Sequence, residues 1–152
     1  MNSFWTIFEN IPLRAAFWGW LLAQIIKGFV NMWMDGKFDL SRFFGSGGMP
    51  SSHTSAVTAL STSLGILYGF DSPFFAVAAV FSCIVMYDAS GVRRETGKQA
   101  VILNEIIKLF KGGKKMGDFK LKELVGHSPL EVGAGALLGI TVGILFTPFA
   151  GA

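Results

Sequence analysis

The chain is short of charge, and that shortage decides its class. Only 15% of its residues are Asp, Glu, Lys or Arg, where a water-soluble domain carries about 25%. Cysteine is nearly absent: Cys83 stands alone inside an apolar run, so no disulfide can close within the chain. The N-terminus lacks the Lys/Arg region of a cleavable signal peptide, and Glu9 precedes the first apolar stretch. The first apolar segment therefore reads as a permanent span. No internal repeat and no low-complexity segment is present. Instead, 51% of the residues are hydrophobic, with 15 Phe, 4 Trp and 19 Gly, a mixture suited to close-packed membrane helices. The 152 residues have room for one domain, residues 1–152. The expected fold is all-α, a polytopic membrane helix bundle.

Four apolar stretches carry that expectation: Ile11 to Met34, Thr54 to Phe70, Pro73 to Tyr87, and Val132 to Ala150. A span needs about 20 residues, so the second and third must borrow from Pro50–His53 and Asp88–Val92. Only Asp71 and Ser72 separate them, which predicts a tight helical hairpin. Between the third and fourth stretches, Lys98 to Lys111 places Val101, Ile102, Ile106, Leu109 and Phe110 at helical spacing. That pattern predicts an interfacial amphipathic helix, ended by Gly112-Gly113 and followed by a basic connector, Lys114 to Lys122.

Nine of the 13 basic residues fall between Arg93 and Lys122, among acidic ones. This distribution suits a segment near anionic headgroups and argues against a nucleic-acid groove. With four spans, that loop and the loop holding Lys37 and Arg42 share one side. The positive-inside rule places both in the cytoplasm of a bacterial-type membrane, with both termini outside.

Three polar clusters then meet on that face. Gly47 to Ser55 includes Pro50-Ser51-Ser52-His53 and opens the second stretch; its helix N-terminus offers free N–H groups to a phosphate. A well-capped helix with a headgroup-level histidine explains it equally simply. Gly126-His127-Ser128-Pro129-Leu130-Glu131 opens the fourth stretch. Glu131, four residues on, can orient the His127 imidazole, yet Ser128-x-x-Glu131 is also a capping box. The third cluster, Asp88 to Lys98, carries Arg93 and Arg94, suited either to a phosphoryl group or to the end of a span. Lys27 lies inside the first stretch, where it must snorkel or find a partner. Gly135, Gly139 and Gly143 recur every four residues and predict a flat strip facing the bundle or a second copy, so a homodimer is a possible assembly.

These residues resemble the type 2 phosphatidic acid phosphatases, and more closely their divergent branch related to acid phosphatases and vanadium haloperoxidases. The resemblance covers most of the chain and rests on residues 47–53, 88–94 and 126–132. Pro50-Ser51-Ser52-His53 resembles the family's P-S-G-H. His127-x3-Glu131 resembles the second half of its S-R-x5-H-x3-D, with Leu121 where that motif has arginine. The K-x6-R-P motif is not matched: fourteen residues separate Lys27 from Arg42, and no Arg-Pro pair follows.

What the resemblance implies is a lipid-phosphate phosphatase working at the bilayer surface without cofactor or metal. His127 would be the nucleophile, Glu131 its orienting carboxylate and His53 the proton donor. Ser51, Ser52, Lys27, Arg42, Arg93 and Arg94 would bind the phosphate. Phosphatidylglycerophosphate, phosphatidate and polyprenyl phosphates all fit as substrates. Two alternatives stand beside it: an inactive scaffold or lipid-binding protein retaining the fold, and a metal-dependent phosphotransferase using Asp88, Glu95 and Asp118. The latter lacks the D-G-x2-A-R pattern of that class.

Overall fold

Ser51, Ser72 and Ser128 each stand at the foot of an apolar run, and each starts a helix. Their hydroxyls accept the N–H of Thr54 (3.5 Å), Phe75 (3.2 Å) and Glu131 (3.3 Å), filling donors that a helix's first turn leaves open. Pro73 and Pro129 follow two of these caps, at positions where no N–H is needed. The computed structural model describes residues 4–35, 48–110, 121 and 126–148. A short 3-10 turn, Phe4–Glu9, leads into five helices: α1 Ile11–Asp35, α2 Ser52–Tyr68, α3 Pro73–Ser90, α4 Val92–Phe110 and α5 Pro129–Phe146.

The differences from expectation are local and have local causes. The second apolar stretch begins two residues early, at the Ser51 cap, and stops at Tyr68 because Gly69 adopts φ +91°. The amphipathic helix starts at Val92, well before Lys98, since only Gly91 separates it from α3. The fourth stretch ends at Phe146, not Ala150: Pro148 pushes Thr147 into extended backbone. Gly112-Gly113 and, apart from Leu121, the Lys114 to Lys122 connector lie outside the described residues.

α2 is the central helix, packed against α1, α3 and α5, whereas α4 touches only α3 among the described helices. Among the described residues, the fully buried apolar side chains are no larger than valine, with Trp18, Leu22 and Leu138 packed half-buried against them. Ala15, Ala59 and Val142 form its apolar centre, and the buried face of α2 is Ser, Thr, Ala and Gly. Hydroxyls tie α2 to its neighbours. Ser55 donates to the Gly19 carbonyl on α1 (2.8 Å), Ser82 of α3 to the Val57 carbonyl (3.0 Å), and Thr147 to Ser63 (2.8 Å). Interhelical bonds of this kind average about 0.6 kcal/mol in membranes, so they orient the helices more than they drive assembly.

Close approach is what the glycines permit. A Cβ on Gly135 would lie 2.5 Å from the Ser51 carbonyl, one on Gly19 2.9 Å from that of Ser55, and one on Gly143 2.6 Å from Thr62 Cβ. The α5 glycine strip therefore faces α2. Large apolar side chains point outward instead: Phe29, Val77, Phe81, Ile84, Leu137 and Leu145 are all exposed. Small residues inside and bulky ones outside suit lipid as the surrounding solvent, because water would penalise so wide an apolar surface.

The stretches Pro73–Lys108 and Pro129–Phe146 each contain a segment long and apolar enough to cross a bilayer unaided. α1 has the length, at 25 residues, but carries Arg14 and Lys27; α2, at 17, sits at the lower limit. The protein is an all-helical membrane bundle.

Candidate active site

The three polar clusters converge at one end of the bundle through backbone contacts. The Ser51 N–H donates to the Glu131 carbonyl at 3.0 Å, joining the start of α2 to the start of α5. The His127 N–H donates to the Ala89 carbonyl at 2.9 Å, joining the same loop to the end of α3. Gly126 adopts φ +88°, and a Cβ there would fall 2.5 Å from the Arg94 nitrogen, so the His127 loop lies against the first turn of α4. Any side chain at Gly126 would push the histidine away from the arginines.

His127 is 6% exposed. Its Nδ1 lies 3.1 Å from Glu131 Oε2, and the same oxygen accepts the Ser128 N–H at 3.0 Å. The capping box and the orienting contact thus coexist on a single carboxylate oxygen. A carboxylate only accepts, so the contact places the imidazole proton on Nδ1 and leaves the Nε2 lone pair unprotonated. Burial holds the His127 pKa below its ordinary value, against the opposing hydrogen bond and charge of Glu131. The ring is accordingly neutral at neutral pH, the form in which one ring nitrogen keeps a free lone pair.

Two pH effects follow. Folding weakens His127's hold on a proton, so its contribution to stability is present above the ordinary value of 6.5 and is lost as pH falls through the folded value. Glu131→Gln removes the charge that raises the pKa and weakens the hydrogen bond that does so too. For a site that turns over a phosphate, the acid limb of the pH–kcat/KM profile should then move to lower pH while kcat falls, and measuring both profiles checks it. An unmoved limb would leave Glu131 as a cap alone.

Lys27 does not snorkel. It is 1% exposed, and its Nζ reaches the Ser52 hydroxyl at 3.4 Å, a long contact for a buried ammonium. Glu131 lies near enough to act on it electrostatically, without a direct ion pair. Among the described residues the ammonium has no other hydrogen-bond partner, and it lies inside the bundle beside the N-terminus of α2. The Ser52 and His53 N–H groups belong to that same first turn, and α2's caps do not use them: Ser51 takes the N–H groups of Thr54 and Ser55.

His53 is exposed on the first turn of α2, and its ring is within electrostatic reach of Arg93, His127, Lys27 and Asp88. Ser51 is fully buried, with its hydroxyl engaged by Thr54, so its place is beneath the helix N-terminus that it caps. Arg93 Nε donates to Asp88 Oδ2 at 2.6 Å. Asp88, part of the third cluster and a metal ligand in the phosphotransferase alternative, here orients a cation, because the break at Gly91 between α3 and α4 brings the pair together. The third carboxylate partner among the described residues, Glu95, is paired with Lys98 at 2.6 Å. Arg94 is exposed on the first turn of α4. Arg42 and Asp118 lie outside the described residues.

Two helix N-termini, a buried ammonium, an oriented neutral imidazole, a second imidazole and a guanidinium thus surround one spot. That set can bind a tetrahedral anion and exchange a proton at its edge. No solved structure matches the chain. The uncharacterized membrane protein YuiD of Bacillus subtilis (strain 168) is 40% identical, over 94% of this chain and 98% of its own length. The sequence model of the Divergent PAP2 family matches residues 8–142, a stretch that includes both histidines, Glu131 and Lys27, and the chain belongs to that family.

Proposed function

We propose that this protein is a membrane lipid-phosphate phosphatase working through a phosphohistidine. One observation carries the reading: the buried ammonium of Lys27, bonded among the described residues only to Ser52 and set beside two helix N-termini that each carry a histidine at their start. A cation kept out of water with so little compensation is explained by an anion that visits it.

In this mechanism the Nε2 lone pair of His127 attacks phosphorus, and the bond to the lipid oxygen breaks. His53 delivers a proton to that oxygen, so the lipid leaves as an alcohol. The now neutral His53 takes a proton from water, whose oxygen attacks the phosphohistidine; the N–P bond breaks and His127 is restored. Lys27, Arg93, Arg94, Arg42 and the α2 N–H groups neutralise the charge on the equatorial oxygens, with Ser51 and Ser52 holding that helix end in place. Such stabilisation supplies most of the rate enhancement in phosphoryl transfer.

The substrate class follows from depth: a site at the mouth of a membrane bundle meets lipid headgroups. Phosphatidylglycerophosphate, phosphatidate and polyprenyl phosphates are the candidates. Purified protein should release phosphate from such a panel in the presence of chelator, be inhibited by vanadate, and yield an acid-labile phosphoprotein on quenching. Failure to release phosphate from any of them would favour the inactive scaffold, which the leucine at position 121 also suits.

The site faces the cytoplasm in this reading, on the strength of the basic residues around it. Lys98, exposed on α4, tests that. In a Cys83→Ser background, Lys98→Cys should react with a membrane-impermeant maleimide only after cells are opened. Labelling in intact cells would put the site outside.

A further inference from the structure

A groove of about 540 Å³ runs along α2 between α3 and α5, open on one side. It exists because those two flanking helices barely touch each other while both pack on α2. Its floor is the hydroxyl-bearing face of α2, with Thr58 and Ser61, and its walls are apolar, with Met86 and Phe75 on α3 and Ile140 on α5. Two of the three floor hydroxyls on α2 are spent on protein partners: Ser61 bonds Ser82, and Thr58 bonds the Thr54 carbonyl, leaving Thr62 as the third. A ligand in the groove therefore meets mostly apolar surface.

Position and length identify its occupant. The upper end, at Met86 and Thr58, lies within one helical turn of Ala89, which anchors His127, and of Thr54, which bonds Ser51. From there to Phe75 is eleven residues of α3, or about 16 Å at 1.5 Å per residue, close to the ~15 Å of hydrocarbon in one leaflet. We infer that this groove seats one hydrocarbon chain of the lipid whose phosphate occupies the His53–His127 site. The inference rests on the phosphatase reading for the identity of that headgroup, and adds where the tail goes. A chain held there lets apolar contact along its length position the phosphorus against His127. It also selects substrates with one long chain free to enter from the bilayer side.

The chain's single cysteine makes this testable, because Cys83 is an exposed wall residue of the groove. Protein in nanodiscs is labelled at Cys83 with a small membrane-permeant thiol reagent, alone and with dodecyl phosphate, butyl phosphate or dodecanol. At about ten times its Kd, dodecyl phosphate should slow labelling about ten-fold, in proportion to the free fraction. Butyl phosphate should leave the rate unchanged, because it reaches the site but not the cysteine. No protection by dodecyl phosphate at saturation would overturn the inference. Equal protection by dodecanol would overturn it too, since the tail would then be any bilayer chain, uncoupled from the phosphate.

A second arm reads turnover. Ala79→Trp fills the groove from α3, away from every residue placed at the phosphate. It should raise KM for a long-chain lipid phosphate at least ten-fold and leave an aryl phosphate's kcat/KM unchanged. Equal loss on both substrates would count against the groove. Absence of turnover on any phosphate, with Cys83 still protected by dodecyl phosphate alone, would sink the phosphatase reading and leave the groove as a binding site.

Discussion

His127→Ala should abolish phosphate release from every substrate, a loss on the order of 10⁵ or more, as removal of a nucleophile produces in other hydrolases. No phosphoprotein should form. The reason is geometric: Glu131 holds the Nδ1 proton of a buried, neutral ring, so Nε2 is the one unprotonated ring nitrogen His127 offers. His53 has a narrower task. Proton donation contributes about 10²–10⁴-fold where the leaving oxygen is basic and little where it is not. His53→Ala should therefore lose that much on a lipid phosphate and far less on an activated aryl phosphate. The ratio of the two substrates, measured in one preparation, separates proton donor from nucleophile. Small, equal losses in both variants would make the histidines structural and return the protein to the scaffold reading.

Gly139→Ala should destabilise the bundle by about 1–3 kcal/mol, the usual range for forced overpacking, and more if α5 cannot shift. Its added Cβ would collide with Thr58 Oγ1 and with the Ser55 carbonyl on α2. The threonine can rotate, but the backbone carbonyl cannot move without breaking α2. Gly133 on the same helix is the control, since a Cβ there meets nothing within 4 Å. Gly133→Ala should raise stability by about 0.5–1 kcal/mol through helix propensity. Thermal unfolding of both variants in detergent gives opposite signs if α5 packs on α2 as described. Two shifts of the same sign would break that packing argument.

The periodic and compositional features were legible before any coordinates. Apolar runs with little charge specify membrane helices, since the backbone in lipid must bond to itself. Serine and proline at the foot of three runs mark where helices start, because capping depends only on neighbours in sequence. The four-residue glycine strip announced a close-packed face, and its partner proved to be α2. That His53, His127 and Glu131 belong together was suggested by their resemblance to family motifs, and the structure brings the three to one end of the bundle.

Other features depended on chain separation. Lys27 and Ser52 are 25 residues apart, and no periodicity says whether a lysine in a span snorkels or turns inward. Asp88 pairs with Arg93 only because Gly91 ends one helix and lets another begin. The groove beside α2 exists because two helices fail to meet, which no residue of either one encodes. The sequence by itself determined which segments are helices and which residue types stand near their ends, since those depend on contacts within a few residues, while the exact boundaries shifted by up to six residues. Tertiary structure alone decided that a buried ammonium lies beside two helix N-termini and that an open groove runs along α2 between α3 and α5, because helix packing sums weak contacts over distant segments.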